Sequence, residues 1–253
     1  MRIKLAGFGF VIREIPVVLM ALTIERIFAG SLGDYLPKPI TVEREGLTWL
    51  WRPRTDDYLA FSAKHEPSVT KLLTTQFRKG EVFLDIGSHV GRYAVRASRE
   101  GMKVHAWEPN PYNRYGLVQN LKMNNLRAKV HTEALGDTDG FVLFQNRGGR
   151  SHVTKSGKSK VQMRRLDGFD IPEVDLVKID TPGVLERHEG FELPILAGAK
   201  RTLRTHHPRL LVELHRHLAE DSTEECRDLL KTLGYSEFTY ITDMGRRAYL
   251  FCP

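Results

Sequence analysis

A ten-residue stretch in the first half of the chain sets the fold: Val82-Phe83-Leu84-Asp85-Ile86-Gly87-Ser88-His89-Val90-Gly91. The run is apolar up to Asp85, so it reads as a strand buried on both faces. Such strands belong to parallel sheets that helices cover. Gly87 lets the chain turn tightly and lets a ligand approach the backbone. Gly91 lets a helix begin close against the strand. The pattern then repeats. Further strands are expected at residues 104–107, 130–135, 174–180 and 210–215, with helices from residue 91, over 111–123, over about 192–204 and near 223–233. Pro111 stands in a first helical turn, where proline is tolerated. Residues 141–145 and 161–166 flank a basic loop, and 238–241 with 248–252 close the chain as an antiparallel hairpin. The fold class is therefore α/β: a Rossmann-like, mostly parallel sheet with helices on both faces and a C-terminal antiparallel hairpin.

Residues 1–75 read as an accessory segment and 76–253 as the main domain. Residues 5–24 are mostly apolar, but Arg13, Glu14 and Pro16 interrupt them. A membrane span needs about 20 predominantly apolar residues, so an amphipathic helix is expected, docked on the domain or a partner, with contact to a membrane surface as the alternative. Gly46 between two short runs predicts a small hairpin over 41–51, and apolar spacing predicts a helix over 58–78. With 253 residues and 41% hydrophobic content, the chain can bury one full core. Two cysteines, Cys226 and Cys252, form neither a disulfide framework nor a metal-ligand pattern, and a reducing, cytoplasmic setting is expected. Seven basic residues and no acid lie between 146 and 165, equal to the whole net charge of +7. That stretch is a solvated loop, or else a surface for RNA or for an anionic acceptor.

Glu108 closes the next strand, in Trp107-Glu108-Pro109-Asn110, 23 residues after Asp85. An acid about 20 residues beyond a glycine turn suits the two hydroxyls of a ribose. The turn lacks the Gly-x-Gly-x-x-Gly spacing that admits a pyrophosphate. A cofactor with a ribose and an amino acid but no phosphate, S-adenosylmethionine, fits better. The free N–H groups of the following helix would face its carboxylate.

Asp85-Ile86-Gly87-Ser88-His89-Val90-Gly91, Trp107-Glu108-Pro109-Asn110-Pro111, Ala134-Leu135-Gly136-Asp137, Asp175-Leu176-Val177-Lys178-Ile179-Asp180, Glu189-Gly190 and Leu211-Val212-Glu213-Leu214-His215 together resemble the FkbM family of methyltransferases, over roughly residues 56–215. The resemblance implies a class I methyltransferase fold, S-adenosylmethionine as cofactor, and O-methylation of a sugar, glycan or other small natural product. It assigns Asp85, Gly87, Ser88, His89 and Gly91 to the methionine end and Glu108 to the ribose. Leu135 and Asp137 fall to the adenine. Two departures stand out: His89 occupies a position that more often holds asparagine, and residues 182–188 interrupt the family's Lys-Ile-Asp-Val-Glu-Gly run. That insertion either gates the acceptor site or displaces Glu189.

Methyl transfer needs an oxygen nucleophile in line with the methyl group, and often a base for its proton. Asp180 ends one strand, and Glu213 and His215 share a face of the next by the strand period of two; these three are the catalytic candidates. Asp180, Glu213, His215 and His217 could also gather on a divalent ion, although their spacing is no recognised ligand pattern. An RNA methyltransferase using the basic loop and a non-catalytic cofactor-binding scaffold are the other readings.

Overall fold

The computed structural model describes residues 2–5, 11–13, 38–145, 152–153, 159–181, 191–214, 220–243 and 247–253. At the N-terminus, β1 (Arg2–Leu5), β2 (Val11–Arg13), β3 (Ile40–Arg44) and β4 (Leu47–Trp51) form one sheet in the order β2-β1-β3-β4. The β3–β4 hairpin stands where Gly46 predicts it. Glu45 and Gly46 both hold positive φ, 54° and 72°, as a two-residue turn with matched twist requires. Within the span expected to be an amphipathic helix, Val11–Arg13 is instead a strand paired with β1, while residues 6–10 and 14–37 lie outside the described residues. The helix expected over 58–78 is also cut down. A 3-10 turn covers Asp57–Ala60, and α1 spans only Pro67–Gln76. Pro67 opens α1 and bars a helical conformation from the residue before it, and Glu66 is left-handed at φ 47°.

The main sheet begins with β5 (Val82–Ile86), α2 (Arg92–Arg99), β6 (Lys103–Trp107), α3 (Pro111–Met123) and β7 (Lys129–His131). The single strand expected over 130–135 is two strands. His131 ends the pairing of β7 with β6, and β8 (Ala134–Leu135) pairs elsewhere, parallel to β11 (Ser159–Arg164). With β9 (Gly140–Gln145) and β10 (His152–Val153) these make a small sheet ordered β10-β9-β11-β8. The chain returns through β12 (Leu176–Ile179), α4 (Glu192–Ala197), α5 (Lys200–His206), β13 (Arg209–Leu214), α6 (Glu220–Thr232), β14 (Thr239–Asp243) and β15 (Arg247–Cys252). The helix expected over 192–204 breaks at Gly198, where a Cβ would stand 1.9 Å from the Gly136 carbonyl oxygen. The Asp167 carboxylate then caps α5 by accepting from the N–H groups of Arg201 and Thr202, both at 2.8 Å.

The main sheet has the order β14-β15-β13-β12-β5-β6-β7. The pairs from β13 through β7 are parallel, and β15 runs antiparallel to both neighbours. Sequence order reverses between β5 and β12, so the crevice beyond their carboxyl ends is the topological switch point. Alternation divides the core. Phe83, Leu176, Leu211 and Tyr249 face the N-terminal hairpin, α1, α2 and α3, while Leu84, Val177, Val212 and Leu250 face the other helical layer. Among the described residues no helix is long and apolar enough to cross a membrane.

Candidate active site

The turn after β5 is bound to the end of β6. Gly87 and Ser88 N–H both donate to the Trp107 carbonyl at 3.0 Å, and the Ser88 hydroxyl donates to the same oxygen at 3.2 Å. Ser88 is thus held in the turn by its backbone and its side chain alike. Gly87 (φ 79°) passes so close to β12 that a Cβ there would stand 1.8 Å from the Asp180 carbonyl oxygen. Gly91 (φ 91°) leaves room for Leu117 of α3, which a Cβ would meet at 2.5 Å. Only glycine satisfies both the conformation and the contact at these two positions.

Glu108 is buried at the end of β6. Its Oε2 accepts from the His89 backbone N–H at 2.8 Å and its Oε1 from that of Asn110 at 2.9 Å. An ionised carboxylate has about four acceptor sites, so each oxygen keeps one for a further donor. Burial pushes its pKa up to about 7, against the lowering influence of His89, the two N–H donors and Arg114. Asn110 then caps α3 by accepting from Tyr112 N–H at 3.0 Å. Behind Glu108 the Trp107 ring stacks on His131 at 4.1 Å, and Phe169 stands edge-on to both. Burial and then His105 hold His131 down at about 4, so this aromatic floor is uncharged at neutral pH.

A row of charged groups crosses the sheet on the face that carries Phe83 and Leu211. Asp85 lies opposite Lys178 in the β5–β12 register, and Asp180 follows two residues after Lys178. The Lys178 ammonium is 3.0 Å from Asp180 Oδ2 and 3.5 Å from Asp85 Oδ1. Asp85 Oδ2 accepts from Ala94 N–H at 3.0 Å, which fixes the first turn of α2. Burial lowers the pKa of Lys178, but Asp180 and Asp85 raise it by more, so the lysine stays charged. Burial, with Asp180, pushes Asp85 up. Of the three side chains only Asp180 reaches solvent, at 24% exposure. Glu213, buried on β13, is one register step beyond the Ile179–Val212 pair and so comes beside Asp180.

The structure thus brings Asp85, Gly87, His89, Gly91, Glu108, Asp180 and Glu213 to the carboxyl end of one sheet. Leu135 is buried on β8, and Asp137 is exposed on the turn that follows. His215, His217 and the insertion at 182–188 lie outside the described residues. Among the described residues no three His, Cys, Asp or Glu side chains are grouped to hold a metal ion. The sequence reading passed over Lys178 as a partner of both acids. Its signal was a lysine in the middle of an otherwise apolar strand, which a buried strand admits only with acids beside it. Asp56, whose Oδ1 is 3.4 Å from His89 Nε2, had no sequence signal, because 33 residues separate the two.

A family model described as the methyltransferase FkbM domain matches residues 85–237. No curated protein matches the chain. Among solved structures, a methyltransferase from Pyrococcus furiosus aligns at a TM-score of 0.51 and 16% identity, over 93% of this chain and 94% of that one. The T. thermophilus 16S rRNA N2 G1207 methyltransferase, solved with AdoMet and guanosine, aligns at 0.52 and 14%, over 85% of this chain and 50% of that one. The Pyrococcus abyssi tRNA (uracil-54, C5)-methyltransferase, in complex with S-adenosyl-L-homocysteine, aligns at 0.49 and 16%; the chain covers only 43% of its length, while 85% of this chain is aligned. For the Pyrococcus furiosus and T. thermophilus structures, at these identities, the likeness extends to the fold.

Proposed function

The chain belongs to the FkbM family of S-adenosylmethionine-dependent methyltransferases, and from that premise we propose that it O-methylates a hydroxyl of a sugar, glycan or other small natural product. The observation that carries the site assignment is Glu108, a buried strand-end carboxylate with one acceptor site left on each oxygen. Those two sites suit the two ribose hydroxyls. Gly87, Ser88, His89 and Gly91 line the methionine end, and buried Asp85 shapes it from behind by holding Ala94 N–H, with the N–H groups at the start of α2 toward the cofactor's carboxylate. Leu135 and Asp137 serve the adenine. When bound, the cofactor supplies an electrophilic methyl group on a sulfonium.

Asp180 would position the acceptor hydroxyl at the carboxyl end of β12 and take up its proton, while the cofactor's sulfur would leave with the electron pair of its bond to the methyl group. The Lys178 ammonium, 3.0 Å from Oδ2, fixes the direction of Asp180, which supports this role. Glu213 and His215 are the further candidates for that proton. Incubation with methyl-labelled S-adenosylmethionine and separate pools of free sugars, lipid-linked glycans and RNA tests the reading. Label in a saccharide pool, lost in Asp180→Asn, supports it; label in none leaves the scaffold reading.

One observation favours RNA as a second reading. Phe141 on β9 is 61% exposed, and the Lys160 ammonium lies 3.9 Å from its ring centroid. An exposed aromatic beside a basic segment is a stacking platform of the kind single strands use. Label in the RNA pool, with binding that weakens steeply as salt rises, would select it.

A further inference from the structure

We propose that Asp56 is a positioning residue of the cofactor site, acting through His89. The inference rests on the cofactor assignment above. His89 sits in the middle of the turn with φ 50°, a left-handed conformation that costs an L-residue and that asparagine tolerates better than most. Two contacts hold it there. Its backbone N–H donates to Glu108 Oε2 at 2.8 Å, and its imidazole Nε2 is 3.4 Å from Asp56 Oδ1. One residue therefore ties the ribose-binding acid to the segment that precedes the main sheet.

Asp56 is itself presented by a rigid frame. Its carbonyl accepts from Leu59 N–H at 2.9 Å. The next residue, Asp57, is clasped by Arg52 at both oxygens, each at 2.7 Å. Arg52 also donates to the Tyr112 carbonyl and lies 4.3 Å over the Tyr112 ring. Tyr112 is in the first turn of α3, four residues after Glu108. Asp56, His89 and Glu108 are thus referenced to the same helix, and the turn geometry is fixed from both sides. The groups facing the imidazole are Asp56 and Asp57 from the preceding segment and Glu108 from the end of β6. Burial lowers the His89 pKa, and these three acids raise it by more, so the net shift is upward. Loss of Asp56 frees the imidazole and with it the N–H that aligns Glu108, without removing any group that need touch the cofactor.

The test is a double-mutant cycle read by calorimetric titration with S-adenosylhomocysteine. Asp56→Ala should weaken binding tenfold or more. His89→Asn sets the reference background, in which asparagine holds the left-handed turn without Asp56. In the His89→Asn background, Asp56→Ala should then change affinity by less than about twofold. Equal losses in both backgrounds, or no loss in the first, would overturn the proposal. Asp56→Asn, which keeps the side-chain shape, replaces Asp56→Ala if the latter does not fold. NMR titration of the His89 imidazole separates this proposal from the cofactor assignment. The imidazole should titrate at lower pH in Asp56→Asn, and an unchanged titration rejects the pair even where the cofactor binds. Lower titration in a protein that binds no cofactor keeps the pair and rejects the cofactor assignment.

Discussion

Gly80 and Gly87 both hold positive φ, 91° and 79°, yet only the second has a neighbour where a Cβ would go. Alanine at either position carries the left-handed penalty of about 1–2 kcal/mol. At Gly87 it also meets the Asp180 carbonyl at 1.8 Å, so the end of β12 must move. Gly87→Ala should therefore be less stable than Gly80→Ala by a further 1–3 kcal/mol or so in denaturant titrations; equal midpoints would mean that the crevice yields. Glu108 carries a second prediction. With its pKa near 7, it is mostly protonated at about pH 6 and mostly ionised at about pH 8. Two ribose hydroxyls need the ionised form, so cofactor affinity should rise roughly tenfold across that range. The free protein follows the opposite sign. A carboxyl raised on folding contributes stability below its unfolded pKa and loses it as pH rises toward 7. Calorimetry at the two pH values checks the first effect, and a flat profile would contradict it.

Among the elements, β12 shows best what sequence could and could not reveal. Its apolar residues and its terminal Asp180 announce a buried strand with an acid at the carboxyl end. The register that sets Lys178 opposite Asp85 depends on pairing between strands far apart in sequence, and no local pattern encodes it. Elements punctuated by glycine or proline were legible: α3 runs from Pro111 to Met123 as the sequence predicts, and the β3–β4 hairpin turns at Gly46. Elements shaped by tertiary contact were not. Residues 130–135 divide between two sheets, and 192–204 break where Gly198 meets Gly136. Lys178→Met tests the row of charges. It removes the cation from between two carboxylates and should cost about 3–5 kcal/mol near neutral pH, as breaking a buried pair does. The loss should shrink toward pH 5, because protonation relieves the two acids left facing each other. A loss independent of pH would mean that packing alone is at stake.

At the scale of the molecule, the segment before the main sheet shares its core. Trp49 and Trp51 are buried with Val90, Tyr93 and Leu117 in one cluster. Asn120 of α3 and Asn124, the residue that ends it, bond the edge of β4, accepting from the N–H groups of Leu50 and Thr48 at 2.8 Å. Arg92 donates to the carbonyls of Leu59, Ser62 and His65, and Arg96 to that of Ala60. These contacts cross tens of residues, so no local pattern in the sequence announces them. A fragment beginning at Pro67 would leave both guanidiniums without those acceptors and a broad apolar face bare. It should melt without a cooperative transition and bind a hydrophobic dye; a sharp, native-like transition would show that the segment is dispensable.

The most direct test of the account is calorimetric titration of the whole protein with S-adenosylmethionine and S-adenosylhomocysteine, beside Glu108→Ala. Loss of hydrogen bonds to a charged acceptor costs about 1.5–3 kcal/mol each, so the variant should bind at least tenfold more weakly while keeping a cooperative unfolding transition. Equal affinity in the two proteins would contradict the assignment of Glu108 to the ribose. No binding by the intact protein would contradict the cofactor site as a whole.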